Sequence, residues 1–447
     1  MAACFYEDTA RMKKAWVCLI ALTILILSCS AFAEEATALP LPQLLCFTQH
    51  TVETVLGEDS LDRRTYPDTE NATVNAAVAA IVDTLAERNA PFVPDEMTVT
   101  GKNLLDTGAT VTVTGTKVAS FLVLSHVLYG RTQSAVDFDA AVFDLETGER
   151  LTLNDLLTAD AFDVLRAAVY EQTAAYFPAE TADDARLNAL VDNAWNAPFT
   201  LTPAYLMLHF RADALYEGKN TLMHVRLPYT ALKDYMTAYA LEQTDNSAYR
   251  TVALTFDDGP AQGVTRKILL KLREIGAVGT FFNLGKLYRN SPEVVCWEHD
   301  AGHSVQSHTY DHELHPKSQK KMLKMRDRFA KEQEALIGIA PAYMRAPGGN
   351  DKLYAKWEIG LPIIRWNCLT GDASETVDVK QSMGTFMYTL KDHAIVLMHC
   401  TRASSLDILD AAATRLRQRG YLYVTVDELF LLKGITLKEN VVYFGDE

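Results

Sequence analysis

The run Thr255-Phe256-Asp257-Asp258-Gly259-Pro260 restricts this chain more than any other. Residues 251–254 before it are apolar and strand-like, and Gly259-Pro260 imposes a sharp turn straight after. A strand must therefore end at two adjacent carboxylates. Neighbouring side chains on a regular strand point to opposite faces, so the turn is what lets both carboxylates reach one pocket. Two like charges side by side are unfavourable unless a cation or an arginine offsets them. A fold that carries this run must bring such a partner to the strand end.

Candidate partners follow in order. His308-Thr309-Tyr310-Asp311-His312 sets two imidazoles four residues apart, on one face of a helical or turn-like segment. With Asp258 they make a three-ligand set that a water would complete, the composition of a catalytic zinc site and not of a closed structural one. Two histidines and a carboxylate also suit iron or cobalt. Arg345-Ala346-Pro347-Gly348-Gly349 supplies an arginine for Asp257 and a backbone N–H able to face an oxyanion. Residues 395–399 form an apolar strand ending at His399, a position suited to a general acid. Taken singly, each motif is an ordinary turn, loop or pair of histidines. Together they point to metal-assisted hydrolysis.

On these residues, the chain from about 250 to 433 resembles the polysaccharide deacetylases, the NodB-homology proteins or family 4 carbohydrate esterases. The matching motifs are Thr255 to Gly259, His308 to His312, Arg345 to Gly349, Trp366 to Asp372, and Leu397-Met398-His399. The resemblance implies a deformed (β/α) barrel, a divalent metal, usually zinc, and hydrolysis of N-acetyl groups on amino sugars. It makes Asp257 the base and Asp258, His308 and His312 the metal ligands. It has Arg345 tune the base, His399 act as the acid and Asp372 orient His399. The Gly348 N–H would share the oxyanion, and Trp366 and Leu397 would line the pocket for the acetyl methyl. The sequence departs from the family at Leu369 and Ala373, where aspartate and tryptophan are common. It departs again at Gly348, where an aromatic is common, and at Cys400, where aspartate is frequent.

The rest of the chain sets the context. Its net charge of −15 argues against a nucleic-acid partner. Lys13-Lys14, an apolar run over 15–27 and an Ala-x-Ala site ending at Ala33 make residues 1–33 a signal peptide or a membrane anchor, with attachment through 15–33. Either way the chain is exported, to face the wall or the medium. Seven cysteines show no Cys-x-x-Cys spacing, so neither a metal knuckle nor a dense disulfide framework is indicated. Residues 47–242 read as an α+β accessory region without a catalytic constellation. Its elements include a helix over 72–88, strands at 98–100, 109–115 and 120–129, a hairpin turning at Thr147-Gly148, and helices running on from 151–157 and over 229–239. The stretch 143–157 resembles the domain of unknown function 3298, over about 100–242, which implies a wall-facing binding or positioning module. Polar residues 243–249 form the linker to a catalytic region over 250–440. Residues 317–331 read as an amphipathic helix with a basic face, solvated or in contact with anionic wall polymers.

The expected architecture is α/β, a deformed barrel preceded by a smaller α+β domain. The expected activity is zinc-dependent N-deacetylation of a cell-wall glycan, most simply peptidoglycan. The other readings are an O-acetyl esterase of the xylan type, a chitooligosaccharide deacetylase, or a non-enzymatic wall sensor. The sequence carries no signal for oligomeric state.

Overall fold

The computed structural model describes residues 48–57, 60–90, 103–115, 117–129, 132–374 and 377–445. The targeting segment and the strand expected at 98–100 lie outside them. No helix among the described residues is long and apolar enough to cross a membrane.

The first part of the chain makes a six-stranded sheet in sequence order. Its strands are β1 (Thr48–Gly57), β2 (Ser60–Asp68), β3 (Asn103–Thr114), β4 (Val118–Tyr129), β5 (Thr132–Asp144) and β6 (Arg150–Leu151). Only β2 and β3 pair in parallel, and a parallel step needs a crossover. Helix α1 (Ala72–Asn89) supplies it. The Asn71 side chain caps α1 by accepting from the N–H groups of Thr73 and Val74. Val74, Val78, Val82 and Leu85 recur at helical spacing and are buried against Val111, Phe121 and Phe143 of the sheet. Each such side chain contributes about 1.5–3 kcal/mol through burial.

A second, antiparallel sheet comprises β7 (Phe199–Leu201), β8 (Tyr205–Arg211) and β9 (Leu222–Pro228), with helix α2 (Phe162–Ala174) in the same core. Two helices expected from periodicity are broken here. A capping box at Thr152 and Asp155 starts a helix that stops at Leu156, and α2 begins only at Phe162. The segment over 229–239 breaks at Met236. One contact accounts for both breaks: Leu157 and Met236 are extended and form a β-bridge with each other.

From Arg250 onward helices intersperse the strands and every strand pair is parallel. The strands are β10 (Arg250–Gly259), β11 (Gly279–Asn283), β12 (Ser304–Ser307), β13 (Ile363–Ile364), β14 (Cys368–Leu369), β15 (Ala394–His399), β16 (Tyr421–Tyr423) and β17 (Val442–Tyr443). Helix α3 (Gln262–Glu274) follows β10, α4 (Pro292–Asp300) precedes β12, and α5 (Gln319–Ile337) follows it. The order β14-β15-β10-β11-β12 continues through Met344, which bridges Ser307 to Ile363, and on through β13 to β17. The strands thus follow most of a ring that stays open, among the described residues, between β14 and the β13–β17 end. Asp257, His399 and His308 lie at the carboxyl ends of β10, β15 and β12, where parallel sheets place their ligand sites.

The accessory strands and the catalytic strands share a core. Leu122, Leu124 and Leu222 belong to the same buried cluster as Leu254, Phe281 and Trp297. Polar contacts cross the same boundary. Asp300 accepts from Thr221 Oγ1 at 2.6 Å, Leu222 N at 2.8 Å and Gln133 Nε2 at 2.9 Å. Arg273 donates to Asp106 at 2.8 and 3.1 Å. The polar stretch at 243–249 is pinned in this arrangement: Asn246 is buried, accepts from Gly115 N at 3.0 Å and donates to Thr114 Oγ1 at 3.0 Å. The Asn246 side chain thus satisfies backbone and hydroxyl groups at the end of β3, while Asp245 and Ser247 remain exposed. All described residues belong to one compact unit.

Candidate active site

The register of β10 and β15 makes Asp257 and His399 direct neighbours on adjacent parallel strands. Residues 142 apart in sequence meet because both strands run the same way and end at the same level. Asp257 is buried, and the fully buried Arg345 Nη1 donates to its Oδ1 at 2.8 Å. The same Nη1 donates to Thr255 Oγ1 at 2.6 Å, and Arg345 Nε donates to Ile364 O at 3.2 Å. The guanidinium stacks 4.1 Å from the Phe282 ring centroid and 5.7 Å from that of Trp366. Arg345 thus offsets the first carboxylate of the pair, as the charge argument requires.

Asp258 faces the two histidines. Its φ of +71° lies in the left-handed region, as do those of Thr309 at +70° and His312 at +62°. Non-glycine residues held there carry backbone strain, and such strain gathers at functional sites. His308 and His312 are therefore not on a helix; a strained turn, not helical spacing, brings their rings to 5.1 Å between centroids. Asp258 Oδ1 lies 3.6 Å from His308 Nε2 and 3.4 Å from His312 Nε2.

These three residues fit a metal ion. One donor atom from each lies within 4.8 Å of the others. His308 Nδ1 donates to Arg345 O at 2.9 Å, which fixes the tautomer and leaves the Nε2 lone pair facing Asp258. Burial pushes the His308 pKa down and outweighs the opposing pull of Asp257 and Asp258, keeping the ring in its ligating form.

His399 is held from the other side. Its N–H donates to Asp372 Oδ2 at 2.7 Å, and its Nδ1 lies 3.1 Å from both Asp372 oxygens. A carboxylate can only accept, so Nδ1 carries a proton and Nε2 is left free. Burial alone would lower the His399 pKa, but the hydrogen bond and charge of Asp372 raise it above the ordinary value, helped by Asp257 and Asp258. Asp372 itself is kept below the usual carboxylate range; burial opposes this, and the bonds from His399 and Ser405 outweigh it.

Of the expected pocket residues, Leu397 and His399 are half-buried and share one face of β15 by strand alternation. Trp366 is half-buried between Arg345 and Arg365, whose guanidinium carbon lies 4.9 Å from its ring centroid. Gly348 is exposed in the turn Pro347–Gly349 at φ +63°. A Cβ added there would come within 2.9 Å of Leu314 Cδ2, so the position suits glycine twice over.

Three further groups support the site. Thr255 Oγ1 donates to Val396 O at 2.6 Å and so ties Arg345 to β15. Ser405 Oγ donates to Asp372 Oδ2 at 2.8 Å. Cys400 is a buried, free thiol whose Sγ donates to Asp257 O at 3.1 Å, and burial pushes its pKa well up. It backs the strand end as a small buried group. Ser405 gave no local signal, whereas Thr255 was legible as the first residue of its motif.

Comparison with known proteins finds similarity to deacetylases. A family model described as polysaccharide deacetylase matches residues 244–358. The peptidoglycan-N-acetylglucosamine deacetylase PgdA of Listeria monocytogenes is 31% identical over 320 residues, which cover 68% of this chain and 66% of that protein. The chain thus spans just under two thirds of that relative's length. The peptidoglycan-N-acetylglucosamine deacetylase of Bacillus cereus is 31% identical over 217 residues, 45% of this chain and 75% of that protein. The peptidoglycan-N-acetylmuramic acid deacetylase PdaA of Bacillus subtilis is 27% identical over 199 residues, 43% of this chain and 76% of that protein.

Proposed function

The chain belongs to the polysaccharide deacetylase family, and on that premise we propose that it is an exported, metal-dependent hydrolase that removes N-acetyl groups from the amino sugars of peptidoglycan. The observation that carries this reading is the direct pairing of Asp257 with His399, beside the Asp258, His308 and His312 donor set. A base, an acid and a three-donor site thus converge on one strand-end pocket.

Asp258, His308 and His312 would hold the metal; two imidazoles and one carboxylate with an open position suit zinc, which would supply Lewis acidity toward the acetamide and its attacking water. Asp257 takes a proton from that water, and Arg345 holds the carboxylate in place. His399 acts as the imidazolium: Asp372 holds its Nδ1–H, and its Nε2 proton passes to the leaving nitrogen, which departs as an amine. The Gly348 N–H contributes to the oxyanion, and Trp366 and Leu397 wall the pocket for the methyl group. The named relatives that act on peptidoglycan support the choice of glycan.

The test is acetate release from purified peptidoglycan fragments, with the modified sugar identified by mass spectrometry. Asp257→Asn should keep the metal and lose about 10²–10⁴ in turnover. Acetate from O-acetylated xylan alone would overturn the N-deacetylase reading. Wall binding without turnover in the parent protein would favour a sensor.

A further inference from the structure

Seven cationic side chains stand between Lys317 and Lys331 against one carboxylate, Asp327, a local balance of +6 in a chain of net charge −15. Most are on α5, and its charge is arranged against its own stability. The first turn of α5 has no acidic residue and the last turn no basic one. A helix macrodipole favours the reverse. Ion pairing accounts for only part of the arrangement. The ion pairs along it join Glu313 to Lys321, Asp327 to Arg326, and Glu332 to Arg328 and Arg289. Lys317, Lys320, Lys324 and Lys331 are exposed and form no ion pair among the described residues.

The position of this face matters as much as its charge. Lys321 meets Glu313, the residue after His312, and Lys286 Nζ donates to Asp311 O at 3.2 Å, the residue before it. Arg328 lies 4.1 Å from the Tyr310 ring centroid, in the same turn. Cations therefore flank the histidine turn and continue along α5 for about 15 Å between Lys321 and Lys331. The rest of this acidic chain would be repelled by an anionic polymer.

We propose that this face is a second docking surface that takes the carboxylates on the peptide side chains of the glycan, guiding a strand toward the histidine turn. The proposal rests on peptidoglycan being the substrate. It does not need the chemistry to be N-deacetylation, so the two can fail separately.

The test uses the full-length protein and its Lys320→Gln/Lys324→Gln/Lys331→Gln variant. Both are co-sedimented with insoluble peptidoglycan stripped of phosphodiester polymers, and with the same glycan after amidase removal of its peptides. The parent should bind peptide-bearing glycan about tenfold more tightly at low salt than at high salt, because exposed charge pairs are screened. The variant should lose most of that difference, and the two proteins should bind peptide-free glycan alike. Both should release acetate equally from peptide-free oligosaccharide, which shows the variant folded; absence of turnover in both would count against the deacetylase reading and leave the binding result standing. Salt-sensitive binding that survives in the variant or on peptide-free glycan would overturn the proposal. So would salt-sensitive binding that requires the phosphodiester polymers.

Discussion

Arg273 and Asp106 provide the sharpest test of how the accessory and catalytic regions hold together. Asp106 is fully buried and Arg273 nearly so, and two hydrogen bonds of 2.8 and 3.1 Å join them. Gly108 makes the approach possible: a Cβ there would sit 2.7 Å from Arg273 Nη1. Arg63, at 3.7 Å, is the nearest other cation to Asp106 in an ion pair. Burial alone would raise the Asp106 pKa, but Arg273 outweighs it and holds the carboxyl below its usual range. Its stabilising share is therefore present above the ordinary carboxylate pKa of about 3.9 and is lost as the pH falls through the folded-state value.

Arg273→Met should leave a buried charge without its main partner and lose about 3–5 kcal/mol, a large part of a total near 5–15 kcal/mol. Asp106→Leu should cost a similar amount, because it strands the guanidinium. The double variant should recover about 1–3 kcal/mol of the summed loss, since neither charge is then orphaned. Denaturant unfolding followed by tryptophan fluorescence and by circular dichroism reads these values. Trp195 reports the accessory region, and Trp297, Trp357 and Trp366 the catalytic one. Both signals should follow one transition in the parent. A loss under about 1 kcal/mol in Arg273→Met, or strictly additive single variants, would refute a buried ion pair that joins the two regions.

Two further outcomes concern the site. His312→Ala should lose bound metal and activity together, because three ligands are the minimum for such a site; full occupancy by metal analysis would exclude His312 as a ligand. Asp372→Asn should lower the His399 pKa by removing the partner that raises it. A general acid must be protonated, so the alkaline limb of the pH profile of kcat/KM should move to lower pH; an unmoved limb would exclude the pairing as the cause of the shift.

Much of the site was legible because its chemistry sits in contiguous motifs. Two carboxylates before Gly259-Pro260, paired histidines and a strand-terminal histidine each require fixed residue types at fixed spacing. Their convergence follows from parallel strands that end at one level. Groups that act by packing left no local pattern. Ser405 reaches Asp372 from the start of the helix after β15, and Cys400 lies under Asp257. The broken helices depended on a β-bridge between Leu157 and Met236, and periodicity cannot register a contact that distant. Composition marked 243–249 as a linker because its residues are polar; in the fold one of them, Asn246, is buried and uses its amide on Thr114 and Gly115.

Helix α4 explains why the two regions form one unit. A helix on the outside of an α/β layer normally exposes one face. In α4 every residue from Glu293 to Asp300 is buried. Asp300 and His299 face the accessory strands, where Asp300 meets Thr221 and His299 Nε2 lies 3.0 Å from Leu222 O. Glu298 faces the catalytic strands and accepts from Asn283 Nδ2 at 2.6 Å, and Asn283 O accepts from His308 N at 2.7 Å. Burial pushes the Glu298 pKa up to about 8, so it is mostly protonated at neutral pH and adds little charge behind the site. Three consecutive residues of one helix thus bind the accessory sheet on one side and the strand that positions a proposed metal ligand on the other. Without the accessory strands, Trp297, His299 and Asp300 would lose the contacts that bury them. The accessory region therefore completes the helical layer behind the candidate active site as well as preceding it in sequence.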